Sequence, residues 1–99
     1  MRKIDRLEIE INDLINRRNY EHNRFVSNVI KGNGLGENTY NSQKQIKDTI
    51  LKYKIEISNL NKIKENIVNI KHHDMRKKRV REVVNNIEEV IIMAKTIYN

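Results

Sequence analysis

The three glycines of the chain, Gly32, Gly34 and Gly36, all fall within five residues, and the sequence contains no proline. Glycine adopts the left-handed backbone conformation that often ends a helix, whereas proline interrupts a helix from within. The backbone therefore has one strong breaking point, with long uninterrupted stretches on either side of it. This distribution predicts a helical hairpin or bundle.

Apolar residues recur at steps of three and four on both sides of the glycines, as in amphipathic helices. The pattern predicts helices over about residues 2–31, 43–72 and 74–98, with a glycine-rich loop at 32–42. The first apolar stripe is Ile4, Leu7, Ile11, Leu14 and Ile15, resuming at Phe25, Val26 and Val29. The second is Ile46, Ile50, Tyr53, Ile57, Leu60, Ile63, Ile67 and Ile70. The third is Val80, Val83, Val84, Ile87, Val90, Ile91, Ala94, Ile97 and Tyr98.

Three local signals mark the expected helix ends. Gly32 after Lys31 suits a left-handed cap at the end of the first helix. The sequence from Ser42 to Gln45 fits a capping box, in which Ser42 begins the second helix. Asp74 is an acceptable first cap for a third helix.

Two alternatives compete with the three-helix prediction. Leu7–Ile11 and Tyr53–Ile57 alternate as a half-buried strand would, although the helical spacing extends beyond both. Residues 71–79 contain neither glycine nor proline, so one continuous helix of about 55 residues is the rival to a turn there. We favour an all-α antiparallel hairpin extended to a three-helix bundle in one domain, 1–99, with a coiled-coil-like dimer as the assembled alternative. Self-association is expected under either arrangement.

Composition excludes several classes of protein. Without cysteine, the chain has neither disulfides nor thiolate metal sites. The longest wholly apolar run, Val90–Ala94, is far short of the roughly 20 residues that span a membrane. No apolar signal-peptide core follows Met1, so we expect a cytoplasmic protein.

Positive charge is concentrated in residues 71–81, which hold six basic residues and one acidic residue in a chain of net charge +7. Such a surface attracts phosphate or an acidic protein, unless it serves only as a solvated face. A second, looser basic set on the first helix consists of Arg17, Arg18 and Arg24. It lies beside residues 71–81 if the first helix packs near that segment. The predicted partner-binding residues are Arg17, Arg18, Arg24, Lys71, Arg76, Lys77, Lys78, Arg79 and Arg81.

Other polar residues give weaker signals. Arg18 and His22 occupy positions where the first apolar stripe should continue, and we expect the arginine head to reach water there. Tyr53 and Tyr98 lie on apolar stripes and are expected at the core edge, whereas Tyr20 and Tyr40 are expected outside. His72, His73 and Asp74 lack metal-ligand spacing. No nucleophile motif is present, so neither an enzyme nor a cofactor is predicted.

A hairpin of about 100 residues with a glycine-containing turn resembles the WXG100 secretion partners, but the Trp-x-Gly motif is absent because the chain has no tryptophan. Small size, abundant Ile, Asn and Lys, and basic helices also resemble phage or mobile-element proteins that inhibit host machinery; this likeness rests on no motif. We hypothesise that the chain is a non-enzymatic helical protein that binds a nucleic acid, a nucleoprotein or an acidic protein. In the concrete form of this hypothesis, it inhibits a host nucleic-acid-processing complex in the host cytoplasm. The alternative is an adaptor hairpin that binds another helical protein through apolar faces.

Overall fold

The computed structural model describes residues 1–32 and 40–98, which form three α-helices and contain no strand. Helix α1 spans Lys3–Ile30, α2 spans Tyr40–Ile70 and α3 spans Lys78–Tyr98. Each helix contacts the other two, giving an elongated bundle with extents of 58 × 20 × 20 Å. The predicted all-α class and three-helix bundle are confirmed.

The two segments with strand-like alternation lie inside α1 and α2, so the strand alternative is wrong. The off-stripe residues of those segments, Ile9 and Ile55, are exposed at 58% and 52%. Helical spacing prevailed because it continues over whole helices, whereas each alternation covers five residues.

The end of α1 follows the predicted cap. Gly32 has a φ of 75°, and its N–H donates to the carbonyl of Val29 at 3.1 Å. The N–H of Lys31 donates to the carbonyl of Ser27 at 3.0 Å. A left-handed residue here satisfies carbonyls that the helix leaves without an internal partner. The predicted loop residues Gly34, Leu35 and Gly36 lie outside the described residues.

The start of α2 differs from the prediction. The helix begins at Tyr40, so Ser42 lies in its first turn and is not the residue that precedes it. The capping-box assignment was therefore wrong. A serine followed three residues later by glutamine fits the motif in sequence, but the motif applies only where the backbone first leaves the helical conformation.

Residues 71–77 turn, which excludes one continuous helix from α2 through α3. Asp74 does not cap α3, because the helix begins four residues later at Lys78. Its carboxylate instead accepts a hydrogen bond from the backbone N–H of Arg76 at 3.0 Å, and its carbonyl accepts one from Lys77 at 3.1 Å. Met75 packs against the core and anchors the turn. Asp74 thus stabilises the turn itself.

The core lies where all three helices overlap. The buried apolar residues of α1 are all in its first half, at Ile4, Leu7, Ile11, Leu14 and Ile15. They pack with residues of α2 and α3: Leu60, Ile67, Val80, Val84, Ile87, Ile91 and Ala94. The apolar stripes therefore predict the core, although the stripe on α3 is wider than the buried face, since Val83, Val90 and Ile97 are exposed.

Helix α3 is shorter than its neighbours, with 21 residues against 28 in α1 and 31 in α2. At about 1.5 Å per residue it is about 31 Å long. It runs parallel to α1, since Glu88 pairs with Lys3 and Lys95 pairs with Glu10. The bundle consequently has three helices at one end, whereas only α1 and α2 extend beyond the end of α3.

Ion pairs close the contact between α1 and α3. The carboxylate of Glu88 lies 2.8 Å from Lys3 Nζ and 2.7 Å from Arg6 Nη2, and Glu10 lies 3.2 Å from Lys95 Nζ. Hydrogen bonds from Lys3 and then Arg6 hold the pKa of Glu88 below its ordinary value. Ionised Glu88 is therefore favoured in the folded chain.

Replacing Ile11 by alanine is expected to lower the free energy of unfolding by about 2–5 kcal/mol, because its side chain is fully buried and the change leaves a cavity. Ile9→Ala is the matched control, two residues away on the same helix, and should cost less than about 1 kcal/mol. Urea unfolding followed by circular dichroism measures both. Equal losses would contradict the assigned core face.

Replacing Glu88 by glutamine is expected to reduce the loss of stability that the protein undergoes when the pH is lowered. Because its pKa is lowered in the fold, the contribution of Glu88 is complete above the ordinary glutamate pKa of about 4.3 and is lost as the pH falls through the lowered value. The difference in melting temperature between about pH 7 and about pH 3 should be smaller in Glu88→Gln than in the wild type. Glu65→Gln, at an exposed position, should leave that difference unchanged.

Candidate anion-binding surface

The basic segment 71–81 lies at the end of the bundle where α1 begins. Arg2 Nη1 donates to the carbonyl of Lys71 at 3.2 Å, and Lys71 Nζ lies 3.0 Å from Glu8. The antiparallel hairpin produces this arrangement, because it places the start of α1 beside the end of α2. We call this end of the molecule the basic end.

Two cations of the basic segment 71–81, Lys71 and Arg76, form ion pairs with described residues. The Lys71 side chain is 28% exposed and is held by both oxygens of Glu8, at 3.0 and 3.3 Å. Arg76 Nε and Nη2 contact the two carboxylate oxygens of Asp74 at 3.1 and 3.3 Å. Hydrogen bonds from the Arg76 side chain and then its backbone lower the pKa of Asp74. Lys71 therefore fixes the turn to α1, while the charge of Arg76 is partly neutralised.

Three consecutive cations remain open at the start of α3. Lys77, Lys78 and Arg79, which we call the cationic trio, are exposed and form no ion pair within residues 1–32 and 40–98, although Lys77 is attracted to Asp74 at longer range. Adjacent residues on a helix point about 100° apart, so the trio surrounds the helix end and does not form a single row. The amino terminus of α3 adds partial positive charge at the same place. The helix terminus and the trio therefore add positive charge at the same place.

Arg2 and Lys3 are cations at the basic end that the sequence interpretation missed. With Arg81 they border a groove whose apolar floor includes Ile4 and Val84. Arg81 itself donates to the carbonyl of Arg76. The hairpin prediction already implied this neighbourhood, since an antiparallel pair brings residue 2 close to residue 71.

The structure does not bring the second basic set to the basic end. Measured along α1 from Glu8, which contacts Lys71, Arg17 lies about 14 Å away and Arg24 about 24 Å away. Arg17 pairs with Asp13 at 3.0 Å, and Arg24 is exposed. The expectation that both basic sets form one surface is therefore wrong, because the first helix packs nearby only through its first few turns.

Arg18 is not a surface residue. Its side chain is 14% exposed, with Nε 3.1 Å from Glu56 and Nη1 2.6 Å from Glu21. The guanidinium also lies over the rings of Tyr98 and Tyr53, at 5.2 and 5.8 Å from their centroids. The predicted exposure of the arginine head was wrong, because a carboxylate on α2 reaches the same face of α1.

His22 completes this buried polar layer, which we define as Arg18, His22, Tyr53, Glu56 and Tyr98. The ring centroids of His22 and Tyr53 are 5.9 Å apart in an edge arrangement. Among the described residues, His22 Nε2, Arg18 Nε and Glu56 Oε2 are buried without a hydrogen bond of good geometry. The Arg18 and Glu56 atoms nevertheless stand at ion-pair distance, so their attraction offsets part of the desolvation cost.

The tyrosines follow the sequence interpretation where they are described. Tyr53 and Tyr98 are half-buried in the polar layer, and Tyr20 is exposed. The side chain of Tyr40 lies outside the described residues. Neither Tyr53 nor Tyr98 is free to stack on a base, because both rings contact Arg18.

The described residues provide neither a candidate metal site nor a candidate membrane span. No three histidine or carboxylate side chains there converge on a possible metal position. No helix there has the length and apolar content needed to cross a bilayer.

Comparison of the chain with protein families, curated proteins and solved structures finds no match.

The Arg18–Glu56 pair is expected to stabilise the fold and to be coupled. Arg18→Met leaves a buried carboxylate without its arginine and should cost about 3–5 kcal/mol. Adding Glu56→Leu removes that carboxylate and should restore most of the loss. The exposed control Arg17→Met should cost less than about 1 kcal/mol. Denaturant unfolding of the variants measures the coupling, and additive losses would contradict it.

Proposed function

We propose that the chain is a non-enzymatic helical binding protein that engages an anionic macromolecule through its basic end. The observation that carries the proposal is the cationic trio, three adjacent exposed cations that form no ion pair in the described residues. Clustered cations raise the local concentration of an anionic partner and accelerate its association. The partner is a nucleic acid, a nucleoprotein or an acidic protein surface.

The geometry ranks the proposed binding residues. Lys77, Lys78 and Arg79 contribute most, since their charges are not neutralised within the described chain. Arg81 adds to the same end, while Lys71 and Arg76 act mainly by holding the turn that presents the trio. Arg17 and Arg24 would make a separate contact more than about 10 Å away along α1, and Arg18 acts within the fold.

With a nucleic acid as partner, contacts would be made to the phosphate backbone. Lysine and arginine at a helix end provide charge and hydrogen-bond donors for phosphates, whereas base recognition needs side chains that reach base edges or stack on them. The half-buried tyrosines are engaged with Arg18, which supports backbone contacts over base stacking. The affinity would therefore depend little on the nucleotide sequence and strongly on the salt concentration.

The concrete form of the proposal is a cytoplasmic phage or mobile-element protein that inhibits a host nucleic-acid-processing complex. A compact cationic end can occupy a phosphate-binding path on such a complex or contact its acidic surface. The proposal also includes self-association of the chain, because Val83, Val90, Met93 and Ile97 are exposed apolar residues that share one side of α3.

A second candidate function is that of an adaptor that binds another helical protein through apolar surfaces. The observation that favours it is a groove between α2 and α3 with no charged lining residue, bordered by Ile63, Ile70, Val83 and Val90. In that function the basic end is a solvated surface and the groove takes the partner.

Reversal of the cationic trio separates the two candidates. Lys77→Glu, Lys78→Glu and Arg79→Glu together should make the protein elute from heparin at clearly lower salt, while its circular dichroism stays helical. The matched control reverses three exposed lysines of α2, Lys44, Lys47 and Lys54, with the same change in net charge. That control should elute close to the wild type. Equal shifts for both variants would mean that only net charge matters and would favour the adaptor function.

Salt titration gives a quantitative test with a defined duplex DNA. If the trio contacts three phosphates, affinity should fall about 40-fold between about 50 and 200 mM monovalent salt. The trio variant should lose affinity at low salt and show a flatter dependence. A wild-type protein that binds the duplex no better than the trio variant would contradict nucleic acid as the partner.

A further inference from the structure

The two flanks of α3 have opposite chemistry. On the side of α1, charged residues from both helices pair at 2.7–3.2 Å, as described above. On the side of α2, no ion pair joins the helices within the described residues. The α2–α3 groove there is lined by Ile63, Asn66, Asn69, Ile70, His73, Val83, Asn86, Ile87 and Val90. A groove without a carboxylate, lysine or arginine is unusual in a chain in which 33% of residues are charged.

Exposed apolar residues on α3 continue this groove in a regular row. Val83, Val90 and Ile97 are spaced by seven residues, and Met93 lies three residues after Val90. Their exposed fractions are 36%, 45%, 66% and 60% in that order. Apolar residues at heptad spacing, with one asparagine at Asn86 among them, are typical of a face that packs on another helix. The buried face of α3 is a different one, so no residue within 1–32 and 40–98 covers this row completely.

The adjoining face of α2 also carries exposed apolar residues. Asn66 lines the groove and belongs to a row of α2 residues that are three or four positions apart. The row is Leu51, Ile55, Asn59, Lys62 and Asn66. Residues at these steps share one face of a helix. Leu51 and Ile55 on this face are more than half exposed. The groove and its two borders therefore form one surface with exposed apolar residues on both helices, which on α2 alternate with the polar residues Asn59, Lys62 and Asn66.

The charges at the edges of this surface are complementary to each other. On α3, Glu82 and Glu89 directly precede Val83 and Val90 and lie on the outer edge of the row. On α2, Lys62 lies on the outer edge of its own row. None of these three residues has an ion-pair partner within residues 1–32 and 40–98, and all are exposed. The two glutamates on α3 and Lys62 on α2 thus lie on opposite edges of the groove, where a copy rotated by 180° can pair Glu89 with Lys62.

We propose that a second copy of this chain docks on the α2–α3 groove about a two-fold axis parallel to the helices. This operation places α3 of one subunit against α2 of the other, so that every neighbouring pair of helices in the interface is antiparallel. It brings the acidic edge of α3 to the basic edge of α2, with Glu89 facing Lys62 of the partner subunit. A two-fold axis perpendicular to the helices would instead place α3 against α3 and oppose the glutamates.

The resulting interface is a four-helix layer with an apolar centre and a charged rim. Val83, Val90 and Ile97 would interdigitate with the aliphatic residues of α2 in the partner subunit. Isologous contact of this kind is the commonest route to a homodimer. This inference rests on the self-association in the proposed function. It is independent of the anionic partner, because the cationic trio that would bind that partner lies at the end of the bundle.

Sedimentation velocity over a concentration series of the full chain tests the interface. The wild type should have twice the chain mass of 11.9 kDa. Val90→Glu should raise the dimer dissociation constant by at least about 100-fold, because a carboxylate would be buried in the apolar centre. The matched control is Ile92→Glu, since Ile92 is 56% exposed and points about 200° around α3 from Val90. It should leave the dissociation constant within about threefold.

Charge reversal tests the orientation of the two subunits. Glu89→Lys should weaken the dimer, because it places a lysine opposite Lys62 of the partner subunit. Combination with Lys62→Glu should restore the dissociation constant to near the wild-type value. Circular dichroism confirms that each variant remains helical, which is expected because all the substituted positions are exposed.

Three results would overturn the proposal, and each overturns a different part. A wild type that stays monomeric at several hundred micromolar removes the self-association, while heparin binding by the cationic trio remains a separate question. Equal dissociation by Val90→Glu and Ile92→Glu, or by neither, places the interface elsewhere. A double charge reversal that fails to rescue the single one excludes this axis and favours another arrangement on the same groove.

Discussion

Packing of the first half of α1 against both other helices is the constraint on which the rest of the structure depends. Ile4, Leu7 and Ile11 are almost completely buried and meet residues from α2 and α3. Because this core occupies one end of the hairpin, α3 must fold back beside the start of α1. The turn between α2 and α3 is thereby fixed at the same end, and the six basic residues of segment 71–81 are brought together with Arg2 and Lys3. The position of the charge is a consequence of the apolar packing.

Much of this architecture was predictable from the sequence, because it depends on residues that act locally or periodically. The glycine cluster and the apolar steps predict the hairpin, and Gly32 predicts the end of α1. The helix starts were less predictable. Ser42 and Asp74 both have suitable side chains for caps, yet the helix begins before Ser42 and well after Asp74. A cap depends on where the backbone changes conformation, and tertiary contacts such as that of Met75 with the core decide that position.

The candidate site was predictable only in part, for a related physical reason. Lys77, Lys78 and Arg79 are basic in sequence and remain exposed in the fold. Arg18 was assigned to the surface because a charged residue at an apolar position normally extends to water. Its carboxylate partner, Glu56, stands on another helix, and no periodicity within α1 reveals it. Lys71 was likewise predicted to bind a partner macromolecule, although its side chain pairs with Glu8 on α1.

The early end of α3 has a consequence for the dynamics of the molecule. Beyond Arg18 and Tyr98, α1 and α2 have only each other as neighbours among residues 1–32 and 40–98, whereas the opposite end has three helices around a buried core. Amide hydrogens in the two-helix part should therefore exchange through local opening at a lower free energy than those around Leu7 and Ile67. The cationic trio begins a helix that belongs to the slowly exchanging part. The macromolecule that we propose as partner would meet a surface whose backbone is already ordered, so little conformational entropy would be lost on association.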